Sequence, residues 1–117
     1  MATKDLIEAL SSPENAYLYA RDRIQGRWPP GEHLIAQDVH YAYRYAREVI
    51  KGRWPEGEAV IAQDAEHAYY YALYVIRDRF PQGEAAIAQG SRLALYYYNR
   101  FKDQFTEREK VLWLLKI

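Results

Sequence analysis

Three arginines and three glutamates recur in this sequence at one fixed spacing: Arg27 with Glu32, Arg53 with Glu58, and Arg79 with Glu84. Such an arrangement has two chemical uses. The guanidinium groups can form a ladder that holds anions, or each can pair with its own or a neighbouring glutamate and stack on the adjacent ring, fixing the chain locally. Recurrence favours the second, because a structural device is needed in every unit whereas a site is usually needed once. His33, His40 and His67 show no i, i+4 pairing and cysteine is absent, so no metal set is expected. Glu66 and His67 resemble an acid/base pair, yet neighbours on a helix point about 100° apart, and solvation at the surface is the expected fate. Ser11, Ser12, Ser91, Thr3 and Thr106 stand at or near helix starts, where capping accounts for them. The glycines are spread singly, which rules out a phosphate loop. No nucleophile and base can be assembled from these parts, so no catalytic residue, enzyme activity or cofactor is expected.

The elements that carry these residues follow from a repeat of 26. Ala16, Ala42, Ala68 and Ala94 fall in register, as do Tyr19, Tyr45, Tyr71 and Tyr97. Pro29, Pro55 and Pro81 follow, then Gly31, Gly57 and Gly83. Units 12–37 and 38–63 agree at 15 of 26 positions, and units 38–63 and 64–89 also agree at 15. Each unit reads as a long helix, a W/F-P-x-G-E corner and a short helix. Asp38 is a natural N-cap, and Ser12 takes that place one unit earlier with Pro13 at the first helical position. Residues 42, 45, 46, 49 and 50 form an amphipathic stripe, which Tyr43 widens to about 160°, suited to packing between two neighbours. Gly26 and Gly52 are expected to end the long helices at positive φ, and Asp78 in the same place should terminate less well. The short helix is expected near Glu58 to Gln63, with Gly57 permitting close approach of another helix. Two turns cannot persist alone, so the helix pairs must stack.

The expected fold is therefore all-α, a short α-solenoid of 26-residue helix-pair repeats with capping end units. The layout is a single domain: an N-terminal cap at 1–11, repeats at 12–37, 38–63 and 64–89, and a C-terminal cap unit at 90–117. In the last unit Thr106 opens Thr-Glu-Arg-Glu, a capping box with Glu109. The apolar run Val111-Leu112-Trp113-Leu114-Leu115 should seal the end of the core or, failing that, serve in association.

At 117 residues the chain suits one domain. Its 16 basic and 16 acidic side chains cancel, which disfavours nonspecific nucleic-acid binding. Without cysteine there is no disulfide framework or thiolate chemistry. Apolar runs fall far short of the roughly 20 residues of a membrane span, and no signal peptide is visible, so a cytoplasmic location is expected.

The runs AYRYAREVIKGRWPEGEAVIAQD and AEHAYYYALYVIRDRFPQGEAAIAQ resemble tandem Y-A…V-I-K-G-R-W/F-P-E-G-E repeats of small phage and prophage proteins, mostly of unassigned function. The resemblance covers about residues 12–98 and departs at Asp78, at Phe80 and throughout the last unit. It implies a phage origin and a host cytoplasmic setting, and supplies no catalytic residues.

Function, where visible, lies in positions at which the units disagree. Leu18, Arg44, Tyr70 and Tyr96 point away from the apolar stripe, and one turn on stand Asp22, Glu48, Tyr74 and Arg100. Arg44, Tyr70, Leu73, Tyr74, Tyr96 and Arg100 thus make a candidate protein-binding patch of rings and cations. The alternative is that curling of the helices buries these rings as core. The expected function is a non-enzymatic interaction module that binds or inhibits a host or defence protein. A self-assembling structural or accessory viral protein is the alternative, and single-stranded nucleic-acid binding by stacked rings is a third reading that neutrality disfavours.

Overall fold

The computed structural model describes residues 3–117, so the first two residues of the expected N-terminal cap lie outside it. Among the described residues every regular element is helical. The chain divides into two compact units, the first ending at Ile61 and the second running Ala62–Ile117. The first holds α1 (Thr3–Ala9), α2 (Pro13–Tyr19) continuing as a π-helix over Ala20–Ile24, and α3 (Pro29–Ile35). It ends with α4 (Val39–Arg44), its π continuation Tyr45–Ile50, and α5 (Pro55–Ile61). The second holds α6 (Ala65–Tyr70) with a π continuation Tyr71–Ile76, a 3-10 turn Pro81–Gly83 leading into α7 (Glu84–Ile87), α8 (Ser91–Phe101), a 3-10 turn Lys102–Gln104, and α9 (Glu107–Lys116). Helices pack on their neighbours in sequence, α2 on α3 and α4, and α6 on α7 and α8, as α-solenoid repeats do.

Each long helix starts as its sequence dictates. The side chains of Ser12, Asp38 and Asp64 accept the backbone N–H three residues on, from Asn15, Tyr41 and His67. The helices then bury one alanine–tyrosine stripe: Ala16, Tyr19 and Ala20, then Ala42, Tyr45 and Ala46, then Ala68, Tyr71 and Ala72. The short helices bury one register position throughout, Ala9, Ile35, Ile61, Ile87 and Trp113. These are 26 apart, so α1 and α9 stand at the short-helix position of the repeat.

The helix ends correct the sequence reading. No glycine has positive φ; the left-handed residues are Gln25 (φ 61°), Lys51 (φ 62°) and Arg77 (φ 60°), one place earlier. The cause is the π turn, whose bonds reach five residues back. The Lys51 N–H bonds to the Ala46 carbonyl at 2.7 Å, and the Gly52 N–H shares that carbonyl at 3.2 Å. Asp78 reaches the Ala72 carbonyl at the same 3.2 Å, so it terminates its helix as Gly52 does.

The short helices also begin earlier than expected, at the corner proline itself, because proline is pre-set for the first helical turn. What approaches the corner glycine is mainly the aromatic ring three residues before it. A Cβ on Gly57 would lie 2.4 Å from the Trp54 ring, and one on Gly83 would meet the Phe80 ring at 2.7 Å and the Ala68 Cβ at 2.8 Å. A Cβ on Gly52 would meet nothing within 4 Å. Gly57→Ala should therefore destabilise by about 2–3 kcal/mol, since Trp54 is fully buried and has nowhere to move. Gly52→Ala should stay within about 0.5 kcal/mol of wild type. Lys51→Gly should stabilise by about 1 kcal/mol through relief of its left-handed backbone. Urea unfolding midpoints of the three variants check the order.

Candidate protein-binding surface

The recurrent Arg–Glu pairs are closed, two-pronged ion pairs. Arg27 Nε and Nη2 donate to Glu32 at 3.0 and 2.9 Å, Arg53 to Glu58 at 2.9 and 2.9 Å, and Arg79 to Glu84 at 2.9 and 2.9 Å. A tyrosine of the following repeat completes the corner. The Tyr45 hydroxyl donates to Glu32 at 2.7 Å and accepts the Trp28 N–H at 2.8 Å. Tyr97 repeats this, donating to Glu84 at 2.6 Å and accepting the Phe80 N–H at 2.9 Å. Burial raises Glu32, but Arg27, Tyr45 and the Trp54 side chain outweigh it and hold the carboxyl below its ordinary value. Burial also raises Tyr45 and Tyr97, and the adjacent carboxylates add to the shift. Each guanidinium thus commits two of its donors to its own glutamate, which is the structural use of the pair.

Arg79 carries more than its counterparts. It also donates to Glu109 at 3.0 and 3.2 Å and to the Gln104 carbonyl at 3.2 Å, and lies 3.9 Å over the Phe105 ring. The capping box closes as expected: the Glu109 N–H donates to Thr106 Oγ1 at 3.1 Å, and the Thr106 N–H to Glu109 Oε1 at 2.8 Å. Bonds from Arg79 and then from the Thr106 N–H push Glu109 down from 4.5 to about 2. A depressed folded pKa gives stability that is present above 4.5 and lost as pH falls toward 2. Glu109→Gln keeps the capping geometry but not the charge. Its thermal midpoint should fall less steeply than wild type between pH 4.5 and 2.

In the second unit Tyr74 and Tyr96 are exposed, at 46% and 48%, while Tyr70 and Leu73 are half-buried and Arg100 is exposed. The Tyr70 ring lies 6.0 Å from Tyr74 and 5.7 Å from Tyr69. Burial is the main cause raising the Tyr69 hydroxyl; Tyr74, Tyr70 and Tyr96 add to it and Arg100 opposes it. Arg100 lies 5.1 Å over the Phe101 ring. Tyr69, half-buried next to Tyr70, belongs to the same surface. Its repeat position marks it as packed, and only the fold shows its edge open.

Arg44 belongs to the first unit and is engaged there. Its Nε donates to Glu48 at 2.9 Å and its guanidinium lies 5.0 Å over the Tyr17 ring. Glu48 also accepts the Tyr17 hydroxyl. Tyr17 is fully buried as a ring, so the register position that looks outward in sequence ties α2 to the α4 long helix. Tyr41 likewise bonds across, to Glu14 at 2.8 Å, and Tyr98 packs edge-on to Phe105 at 5.8 Å.

His67 is not merely solvated: its Nδ1 lies 2.6 Å from Asp64, the N-cap carboxylate of α6. Among the described residues no group of three or more His, Asp and Glu side chains could hold a metal, and no helix is long and apolar enough to cross a membrane. Of the final apolar run only Trp113 seals the core; Val111, Leu112, Leu114 and Leu115 are 58%, 47%, 49% and 78% exposed. Compared with models of known protein families, with curated proteins and with solved structures, the chain matches none.

Proposed function

We propose that this chain is a non-enzymatic protein-binding module whose partner docks on the tyrosine surface of the second unit. The observation that carries this is the exposure of Tyr74, whose ring lies 6.0 Å from Tyr70, together with the exposure of Tyr96 and Arg100 in the same unit. Tyrosine and arginine are the residues that most often dominate binding energy, because each presents large, partly rigid area with a polar edge. The first two repeats carry Leu18, Arg44, Asp22 and Glu48 in the same register, so the rings are not required by the repeat. Given the resemblance to phage repeats, a host or defence protein is the partner to seek, and occlusion of its surface is the mode of action.

Affinity capture from host lysate with wild type and with Tyr74→Ala/Tyr96→Ala, side by side, tests the reading. Both side chains are exposed, so the variant should fold. A discrete protein held by wild type and lost by the variant supports the proposal. Equal retention by both, or nothing above background, removes it.

A further inference from the structure

We infer that α9 is a self-association surface, on which a second copy of this chain packs as an antiparallel helix. On α9 apolar side chains stand at repeat positions that lie exposed on the internal short helices. Where His33, Ala59 and Ala85 stand exposed on the internal short helices, the last unit carries Val111; where Gln37, Gln63 and Gln89 stand exposed, it carries Leu115. Val111 is 58% exposed and Leu115 78%. With Leu112, 47% exposed, they are spaced i, i+1, i+4 and form one stripe, while Trp113 alone points inward. Leu112 continues the apolar register of Leu34, Val60 and Ala86 and Val111 that of Ile7, whereas Leu115 stands where the internal units carry glutamine.

The charge order on α9 selects the occupant. The helix opens on Glu107, whose side chain is 90% exposed and pairs with Lys110 at 3.1 Å, and closes on the exposed Lys116, whose ammonium lies 5.9 Å over the Trp113 ring. A two-fold axis between Val111 and Leu112 sets Glu107 of one copy opposite Lys116 of the other, and Arg108 opposite Leu115. Both pairs recur by symmetry, as a two-fold interface requires. The arginine stem can cover the leucine while its charge stays in water. The apolar surface continues past the helix end, where Lys116 and Ile117 border a cleft of about 590 Å³ with Ala85 and Ala88. A helix of 10 residues is about 15 Å long and offers less than the roughly 800 Å² per partner of tight interfaces, so the dimer should dissociate on dilution, in the micromolar range. This surface is separate from the tyrosine surface and does not depend on it.

Sedimentation equilibrium of the full chain across a concentration series tests the inference. Wild type should follow a monomer–dimer equilibrium, and Leu115→Glu should raise Kd by at least about tenfold with an unchanged helical spectrum. Lys116→Glu should weaken the dimer, and Glu107→Lys/Lys116→Glu should return Kd to within about threefold of wild type. Ile7→Glu, on the exposed face of α1, and Tyr74→Ala should leave Kd unchanged. A strict monomer at all concentrations, open-ended growth in mass, failure of the charge swap to restore binding, or equal weakening by Ile7→Glu or Tyr74→Ala would each overturn it.

Discussion

Trp113→Ala should cost about 4 kcal/mol of stability in urea unfolding, the largest loss expected of any single truncation in α9. Trp113 is 4% exposed. Its ring stacks on Tyr97 at 5.3 Å and 29°, and stands edge-on to Phe105 at 5.7 Å and 87°. Its Nε1–H donates to the Ala94 carbonyl at 3.0 Å, a buried bond. Truncation removes the ring, leaves a cavity under α9 and strips a hydrogen bond from the wall of α8. The neighbouring Leu115→Ala should stay within about 0.5 kcal/mol, because nearly all of that side chain is already in water. Similar costs for the two would mean that α9 docks through a different face.

Tyr97→Phe should cost about 3 kcal/mol although it removes a single oxygen. The ring stays in place, so apolar burial is kept. What is lost is a 2.6 Å bond to the Glu84 carboxylate and the acceptor of the buried Phe80 N–H at 2.9 Å. A bond to a charged group is worth about 1.5–3 kcal/mol, and an orphaned buried donor adds about 1–3. Tyr45→Phe should behave alike, through Glu32 and the Trp28 N–H. Paired with Glu84→Gln, Tyr97→Phe should be clearly less than additive, because the first weakens the same charge-assisted bond that the second removes. Additive losses in the double variant would refute the shared network.

Much of this fold is legible in the sequence because its signals are local. The caps at Ser12, Asp38 and Thr106 need only a side-chain oxygen three residues before a backbone N–H. The alanine–tyrosine stripe needs only helical periodicity, and the Arg–Glu pairs close within five residues. The tyrosine surface was legible only as a departure from the repeat. Sequence could name Tyr70, Tyr74 and Tyr96 as surplus to the packing, but whether a ring on that ridge meets water depends on the neighbouring helices. Tyr17 shows why. Its ring is buried and its hydroxyl captures Glu48, which reads as outward-facing in the repeat register.

By itself, then, the sequence determined the 26-residue period, the helix pairs, their caps and the paired corner charges. It could do so because each depends on residues within a few positions of one another. The tertiary structure decided what spans longer separations. The Tyr45 hydroxyl reaches Glu32 across 13 residues and Trp28 across 17, a link that exists only once two repeats are packed. It also decided that α2, α4 and α6 continue into π turns, which leave Lys51 rather than Gly52 left-handed. Finally it turned Trp113 inward and Leu115 outward within one apolar run. Composition cannot distinguish the two; the 26-residue register aligns Trp113 with Ile35, Ile61 and Ile87 and Leu115 with the glutamines, and the packing of α9 on α8 realises it.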